Sequence, residues 1–221
     1  MVSLRQTIKL ASKKHPTAEK QRSHYSSRNA CQRYFSCMTD GGYKIRNQSA
    51  PHFLTFAVAE WVDVFSRKIY RDIVLDSIKY CQTKKSLLLH CWCIMTNHLH
   101  LIASAKNADL SSVLRDFKKF TSKQIVSAIE SNQYESRKNW MLQIFRRAGS
   151  ENQRNEKFQF WRQDNHPEEL YSPAFTFQKI NYIHNNPVEA GIVEQPEHYL
   201  YSSARDYFQT KKCGLLDLVF L

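Results

Sequence analysis

Glycine is scarce in this sequence, with five in 221 residues, and no glycine-rich phosphate loop is present. Enzymes that hold nucleotide phosphates through backbone N–H groups need such loops, yet neither a Walker loop nor a GxGxxG motif occurs. The sequence therefore argues against an ATP-driven mechanism.

Long apolar runs and paired cysteines are also missing. No run approaches the roughly 18 apolar residues of a membrane span, and the basic, polar N-terminus lacks the apolar core of a secretory signal. We therefore expect a soluble protein with reduced thiols and no membrane partner. The six cysteines form no CxxC pair: Cys31, Cys37, Cys81, Cys91, Cys93 and Cys213.

Positive charge is abundant and unevenly distributed. Lys and Arg number 32 against 20 Asp and Glu, a formal net charge of +12, which favours a polyanionic partner, most often nucleic acid. Residues 1–37 hold eight Lys or Arg and one acidic residue. We predict a basic, flexible N-terminal tail over 1–37, one folded domain over 38–210 and a C-terminal tail over 211–221.

Hydrophobic periodicity predicts an α+β fold. The order β-α-β-β-α-β-α indicates a ferredoxin-like split βαβ arrangement, with an antiparallel central sheet and an appended helix. The expected elements are a strand over 53–60, a helix over 66–83 capped by Ser66, strands over 87–95 and 98–103, a helix capped by Asn107 or Asp109, a short helix over 140–145, a strand over 158–162, and a helix over 172–186 ended by Pro187.

The sharpest local feature is a pair of histidines in the second strand of the predicted hairpin. Positions two apart on a strand point to the same face, so His98 and His100 project together while Leu99 and Leu101 face the core. Two adjacent imidazoles form half of a divalent metal site. Because the pattern is short, two surface histidines are the alternative interpretation.

A second feature lies on the last predicted helix. Tyr182 and Asn186 are four residues apart and share a helix face, where a phenol beside an amide oxygen suggests a nucleophile next to a metal ligand. A packed tyrosine followed by an Asn-Pro helix stop is the alternative. Lys179, one turn earlier, neutralises a phosphate or favours the phenolate, or it is an ordinary solvated lysine.

Taken together, these residues match a known pattern. His98-Leu99-His100 resembles the His-hydrophobic-His signature of HUH endonucleases, and residues 43–208 resemble single-tyrosine HUH transposases, especially the REP-associated tyrosine transposases. The motifs that carry the resemblance are WVDVFSR from residue 61, WCIMTNHLHLI from 92, FW at 160–161, KINYIHNNPV from 179, AGIV from 190 and YLYSSA from 199.

The resemblance implies roles for individual residues. His98 and His100 match the paired metal ligands, Tyr182 the single nucleophile, and Asn186 the third, polar ligand. It further implies cleavage and strand transfer of single-stranded DNA, often beside a hairpin, through a 5′-phosphotyrosine, with Mg²⁺ or Mn²⁺ as cofactor. Imidazole ligands suit Mn²⁺ better than Mg²⁺, which prefers oxygen. We expect a bacterial cytosolic protein associated with the nucleoid; both dimers and monomers occur among similar proteins, so a homodimer stays open.

Substrate contacts are less determined by the sequence. Four basic residues on one predicted helix form either a phosphate track or a solvated face: Arg115, Lys118, Lys119 and Lys123. Lys179 is a further candidate DNA contact, and His166 and His184 are candidate neighbours of the active site. Phe160, Trp161 and Tyr201 either stack on unpaired bases or pack in the core.

Three other functions compete with a transposase. An HUH replication or relaxase-type nickase would use the same histidines. A domesticated, non-enzymatic DNA-binding protein would keep the basic surface without the chemistry. A metallohydrolase for small molecules is disfavoured, because no carboxylate base stands near the histidines in the sequence.

Overall fold

The computed structural model describes residues 45–151, 157–163, 166–208 and 214–221. The predicted N-terminal tail over 1–37 and the first residues of the predicted C-terminal tail lie outside this part. No helix among the described residues is long and apolar enough to cross a membrane.

A four-stranded sheet forms the centre of the fold, in the order β2-β3-β1-β4 with every neighbouring pair antiparallel. This order and the crossovers through helices confirm the predicted ferredoxin-like α+β fold. The strands are β1 (His52–Ala57), β2 (Leu87–Ile94), β3 (His98–Ala105) and β4 (Glu168–Glu169), and the helices are α1 (Lys68–Lys84), α2 (Leu110–Ser131), α3 (Lys138–Ser150), α4 (Pro173–Glu189) and α5 (Ala204–Phe208).

Alternation along the strands divides the core into two layers. On one face of the sheet, Leu99 and Leu101 pack with Ile78 of α1 and Phe117 of α2; we call this the α1/α2 face. On the other face, Ile102 packs in a separate cluster with residues of α4; we call this the α4 face. Because side chains alternate along β3, the strand supplies both faces at once.

The predicted strand over 158–162 is wrong. The segment makes a single bridge, between Trp161 and Val58, and its backbone bonds are divided between two elements. Arg162 N–H donates to the Ala57 carbonyl of β1 at 2.8 Å, whereas Gln159 N–H donates to the Phe145 carbonyl of α3 at 2.9 Å. The consecutive side chains of residues 160 and 161 are both buried in the same core. In a strand, consecutive side chains would point to opposite faces of the sheet. The fourth strand is β4 instead.

Two predicted helix boundaries are also wrong. Ser66 does not cap α1: its hydroxyl donates to the Asp63 carbonyl at 2.8 Å, and the capping position is Arg67. Pro187 does not end α4, which continues to Glu189. A proline in the last turn removes only one helical hydrogen bond and its fixed φ suits a helix, so the final turn tolerates it.

The described end of the chain lies along the outer edge of β2. Val219 N–H donates to the Leu89 carbonyl at 2.9 Å, and its own carbonyl lies 2.6 Å from Nδ1 of His90. Leu89 of β2 pairs with Ala103 of β3, and Cys91 pairs with residue 102, directly before Ala103. His90, between them, is therefore the extra residue of a β-bulge. Residues 214–221, predicted as part of a tail, thus cover a strand edge that would otherwise expose its backbone.

Candidate active site

The two histidines of β3 are buried side by side on the α4 face. His98 is 8% exposed and His100 is 1% exposed, and their ring centroids lie 4.7 Å apart. They pair across the sheet with Ala57 and Thr55 of β1. The structure therefore bears out the expected common face, and it rules out a pair of solvent-exposed histidines.

Hydrogen bonds orient both rings through Nδ1. The side-chain amide nitrogen of Asn97 donates to the Trp61 carbonyl at 3.2 Å. This bond turns the side-chain oxygen of Asn97 toward His98 Nδ1, which lies 2.7 Å away. That oxygen only accepts, so His98 carries its proton on Nδ1 and keeps a lone pair on Nε2. His100 Nδ1 lies 2.9 Å from the Thr55 hydroxyl. Neither Nε2 has a hydrogen-bond partner within the described residues, although both are buried.

The surroundings keep these imidazoles neutral. Burial lowers the pKa of His98 to about 4. Burial also lowers the pKa of His100 well below its ordinary value. The neighbouring His98 and Lys179 lower this pKa further, and the Asn186 amide raises it by a smaller amount. A neutral imidazole is the state in which histidine binds a metal ion, through the ring nitrogen that carries no proton.

Helix α4 brings a tyrosine and an asparagine onto the histidines. The Tyr182 ring centroid lies 5.4 Å from that of His100 and 5.8 Å from that of Phe53. One turn further, the Asn186 amide nitrogen donates to the Tyr182 carbonyl at 2.7 Å. Because the nitrogen is engaged, the oxygen of Asn186 is the atom suited to bind a metal ion.

The donor set fits a catalytic rather than a structural metal site. No group of three or more His, Cys, Asp or Glu side chains that could hold a metal ion occurs in the part of the chain that the structure describes. His98 and His100 with the Asn186 oxygen would supply three ligands, and a catalytic site leaves further positions to water and substrate. Two buried nitrogens without hydrogen-bond partners among the described residues, next to a tyrosine, fit such an ion.

A family comparison agrees with this geometry. Residues 50–161, just over half of the chain, match the family model described as "Transposase IS200 like". The chain belongs to the IS200-like transposase family. It is therefore a transposase, a DNA-cleaving enzyme in general terms.

Comparison with solved structures gives two matches for this IS200-like transposase. A REP-associated tyrosine transposase bound to a REP hairpin matches with a TM-score of 0.51 and 14% identity, over 75% of this chain and 84% of that chain. A putative transposase from Deinococcus radiodurans matches with a TM-score of 0.38 and 14% identity, over 67% and 97%. No curated protein matches the sequence.

Lys179 lies beneath the site and not in solvent. Its ammonium group lies 2.8 Å from a Glu168 carboxylate oxygen and 4.4 Å and 5.1 Å from the ring centroids of Phe53 and Phe175. The side chain is 12% exposed. In this IS200-like transposase, the residue is a fixed positive charge one helical turn before Tyr182, not an ordinary surface lysine.

The structure does not bring the predicted phosphate track to the histidines. All four of its residues lie on α2, which packs on the α1/α2 face, and the histidines are on the α4 face. Lys118 is half-buried and donates to the Arg162 carbonyl at 3.2 Å. Arg115, Lys119 and Lys123 are exposed. Their role in DNA binding stays a prediction.

The other predicted neighbours have separate surroundings. His184 Nε2 lies 2.8 Å from the Ser203 hydroxyl and 3.2 Å from the Cys91 sulfur, so the ring packs against β2 and not toward the paired histidines. His166 is half-buried just before β4. Of the three candidate stacking residues, Phe160 and Trp161 are buried in the core, and the remaining one, at position 201, is half-buried beneath an arginine.

Sequence reasoning missed the environment of His98. Trp61 lies with its ring centroid 5.8 Å from that imidazole, and Asn97 fixes which ring nitrogen carries the proton. The only sequence signals were that Trp61 opens the WVDVFSR motif and that Asn97 directly precedes the first histidine. Neither pattern reveals a contact by itself.

A buried carboxylate holds the segment that carries Trp61. Glu135 is fully buried as a side chain, with the Arg67 Nε 2.6 Å and the Arg137 Nε 3.2 Å from its two oxygens. Arg137 also donates to the Asp63 carbonyl at 3.1 Å. Burial raises the pKa of Glu135, but the hydrogen bonds and charge of Arg137 and the charge of Arg67 outweigh it, so the net pKa lies below its ordinary value.

Glu135→Gln is expected to lower the free energy of unfolding at pH 7 by about 2 kcal/mol. Breaking a buried pair costs roughly 3–5 kcal/mol, and the partial exposure of both arginines reduces this. Since the folded pKa is depressed, the stabilisation is present above the ordinary value near 4.3 and is lost as pH falls through the folded pKa. Urea unfolding at pH 7 and at about pH 3 measures the difference, which should shrink in acid.

Glu130→Gln is the matched control, because Glu130 is exposed and lies 3.6 Å from Arg146. It should change stability by less than about 0.5 kcal/mol. Equal losses in the two variants would show that the buried pair has no special contribution.

Proposed function

We propose that this transposase cleaves and rejoins single-stranded DNA through a covalent 5′-phosphotyrosine on Tyr182, with a divalent metal ion held by His98, His100 and Asn186. The observation that supports this most directly is the pair of buried, neutral imidazoles whose Nε2 atoms lack partners among the described residues, next to a tyrosine. A structural role for the histidines would leave those nitrogens desolvated without compensation.

The proposed chemistry needs a phosphodiester to be attacked despite its negative charge. A divalent ion, when bound, polarises a nonbridging oxygen and orients the phosphate. Tyr182 Oη attacks phosphorus, the bond from phosphorus to the 3′ oxygen of the preceding nucleotide breaks, and the 5′ phosphate remains on the tyrosine. The phenol loses its proton to solvent, and the departing oxygen takes one to become a 3′ hydroxyl.

The phosphotyrosine link retains the energy of the phosphodiester bond that was broken. A 3′ hydroxyl therefore reverses the step without nucleotide hydrolysis, in agreement with the absence of a Walker loop. A phenol with an ordinary pKa near 10 is mostly protonated at neutral pH. The Lys179 ammonium, one turn away on α4, is paired with Glu168, and it is close enough on the same helix to contact the phosphate that Tyr182 attacks.

We propose single-stranded DNA next to a hairpin as the substrate. The REP-associated transposase of similar fold was solved with a REP hairpin, and the +12 net charge of this chain suits a polyanion.

Covalent capture tests the proposal. The protein is incubated with labelled single-stranded DNA from the flanks of its own gene, with Mn²⁺, Mg²⁺ or EDTA, and separated on a denaturing gel. We expect a metal-dependent adduct, with Mn²⁺ at least as effective as Mg²⁺ because two ligands are imidazoles. Activation by Mg²⁺ with inhibition by Mn²⁺ would contradict the ligand set, and salt-sensitive binding without an adduct would favour a non-enzymatic DNA-binding protein.

A further inference from the structure

Two consecutive residues beside the histidines have an unusual backbone conformation. Glu60 and Trp61 have φ angles of 50° and 55°, in the left-handed region that side chains other than glycine rarely adopt. The Trp61 N–H donates to the Val58 carbonyl at 3.0 Å, and its carbonyl accepts from Asn97. Non-glycine residues held in this region cost free energy and cluster at functional sites.

This turn places an indole ring at the rim of the site. The ring meets the His98 imidazole edge-on, with centroids 5.8 Å apart and an interplanar angle of 81°. The Arg162 guanidinium carbon lies 5.5 Å from the indole centroid. Both residues are half-buried.

The ring and the guanidinium have complementary chemistry for one nucleotide. An aromatic face stacks on any base without sequence preference, and a guanidinium pairs with a phosphate oxygen. The same contact between the two side chains holds the guanidinium over the ring through a cation–π interaction. A nucleotide whose phosphate lies at the histidines has its base within reach of this rim.

We propose that Trp61 and Arg162 form a clamp for a nucleotide that flanks the cleaved phosphate, with the base on the indole and a phosphate on the guanidinium. This inference rests on the proposed function, because it assigns the substrate position next to the same site. It also accounts for the strained turn, since a relaxed backbone at Trp61 would carry the ring away from His98. Trp61 and Arg162 are thus positioning residues for the DNA and take no part in proton transfer.

A double-mutant cycle with abasic DNA tests the base contact. Wild-type protein and Trp61→Ala are titrated, without metal, against single-stranded oligonucleotides that carry one abasic site at each successive position of the flank DNA that the protein binds. Removing one particular base should weaken wild-type binding by roughly 5–150-fold, the range for base–aromatic stacking. Trp61→Ala should weaken binding to intact DNA by a similar factor and show no further loss at that position.

Two variants control for misfolding and for general aromatic contacts. Trp61→Phe keeps a stacking ring and should retain most of the affinity. Trp140→Ala removes a tryptophan of α3 that is 52% exposed, and it should leave the pattern of abasic effects unchanged. Losses in Trp61→Ala that multiply with every abasic position, or an equal effect of Trp140→Ala, would overturn the clamp.

The phosphate contact has its own readout. Arg162→Gln should reduce the slope of log binding constant against log salt by about 0.7, the value for one phosphate on a single strand. An unchanged slope would remove Arg162 from the clamp. Because these are binding measurements, a wild-type protein that binds but forms no adduct would refute the proposed cleavage while the cycle still decides the role of Trp61.

Discussion

Tyr182→Phe is expected to abolish the covalent protein–DNA adduct while DNA affinity stays within a few-fold of wild type. The substitution removes only the hydroxyl, and the phenyl ring keeps its contacts with His100 and Phe53, whose centroids lie 5.4 Å and 5.8 Å away. Loss of one hydroxyl should change the free energy of unfolding by no more than about 1.5 kcal/mol. Denaturing gels measure the adduct, and fluorescence anisotropy measures binding.

The matched control for this variant is Tyr171→Phe. Tyr171 is 79% exposed just before α4 and stacks on Phe175 at 4.9 Å, a contact that phenylalanine preserves. The control should form the adduct at the wild-type rate. An adduct that persists in Tyr182→Phe would identify another nucleophile, and a parallel loss of binding and thermal stability would indicate misfolding.

His100→Leu is expected to eliminate both cleavage and the stabilisation of the protein by Mn²⁺. An ion at 100 times its dissociation constant stabilises a folded protein by about 2.7 kcal/mol. For a domain of this size, that corresponds to a rise in Tm of roughly 5–10 °C. Without the His100 nitrogen, the rise should disappear, and cleavage should fall by more than the roughly 10–100-fold typical of outer-shell residues.

Stability without metal separates ligand loss from unfolding in this variant. Leucine fills much of the volume of His100 and removes a buried nitrogen that has no partner within the described residues, which compensates for the lost contact with Thr55. The metal-free Tm should therefore change little. His184→Gln changes a residue on the same face but away from the paired histidines, and it should keep the rise in Tm caused by Mn²⁺. A rise in Tm that persists in His100→Leu would exclude His100 as a ligand.

Local periodicity was sufficient to predict the part of the site that lies on regular elements. The alternation along β3 placed His98 and His100 on one face, and the four-residue spacing on α4 placed Tyr182 and Asn186 together. Both arrangements follow from fixed geometric periods. Their burial against each other required the fold to bring α4 onto the sheet, which spacing alone does not determine.

The predictions from sequence are wrong where tertiary hydrogen bonds determine the backbone conformation. Residues 158–162 have the composition of a strand, but their backbone divides between β1 and α3. Trp61 reaches His98 through a left-handed turn held by Asn97, which no propensity predicts. The spacing of Arg115, Lys119 and Lys123 correctly indicates an exposed helix face, but the sequence alone does not show that α2 lies across the sheet from the histidines.

The alternation in β3 also limits how this protein can vary. Because the ligand candidates and the core leucines occupy alternate positions of one strand, a single inserted residue would exchange them and bury the ligands among helices. The edge strand β2 does accept one extra residue, His90, as a bulge next to the segment that covers it. The central strand, paired on both sides, has no such freedom, so its permitted length changes come in steps of two.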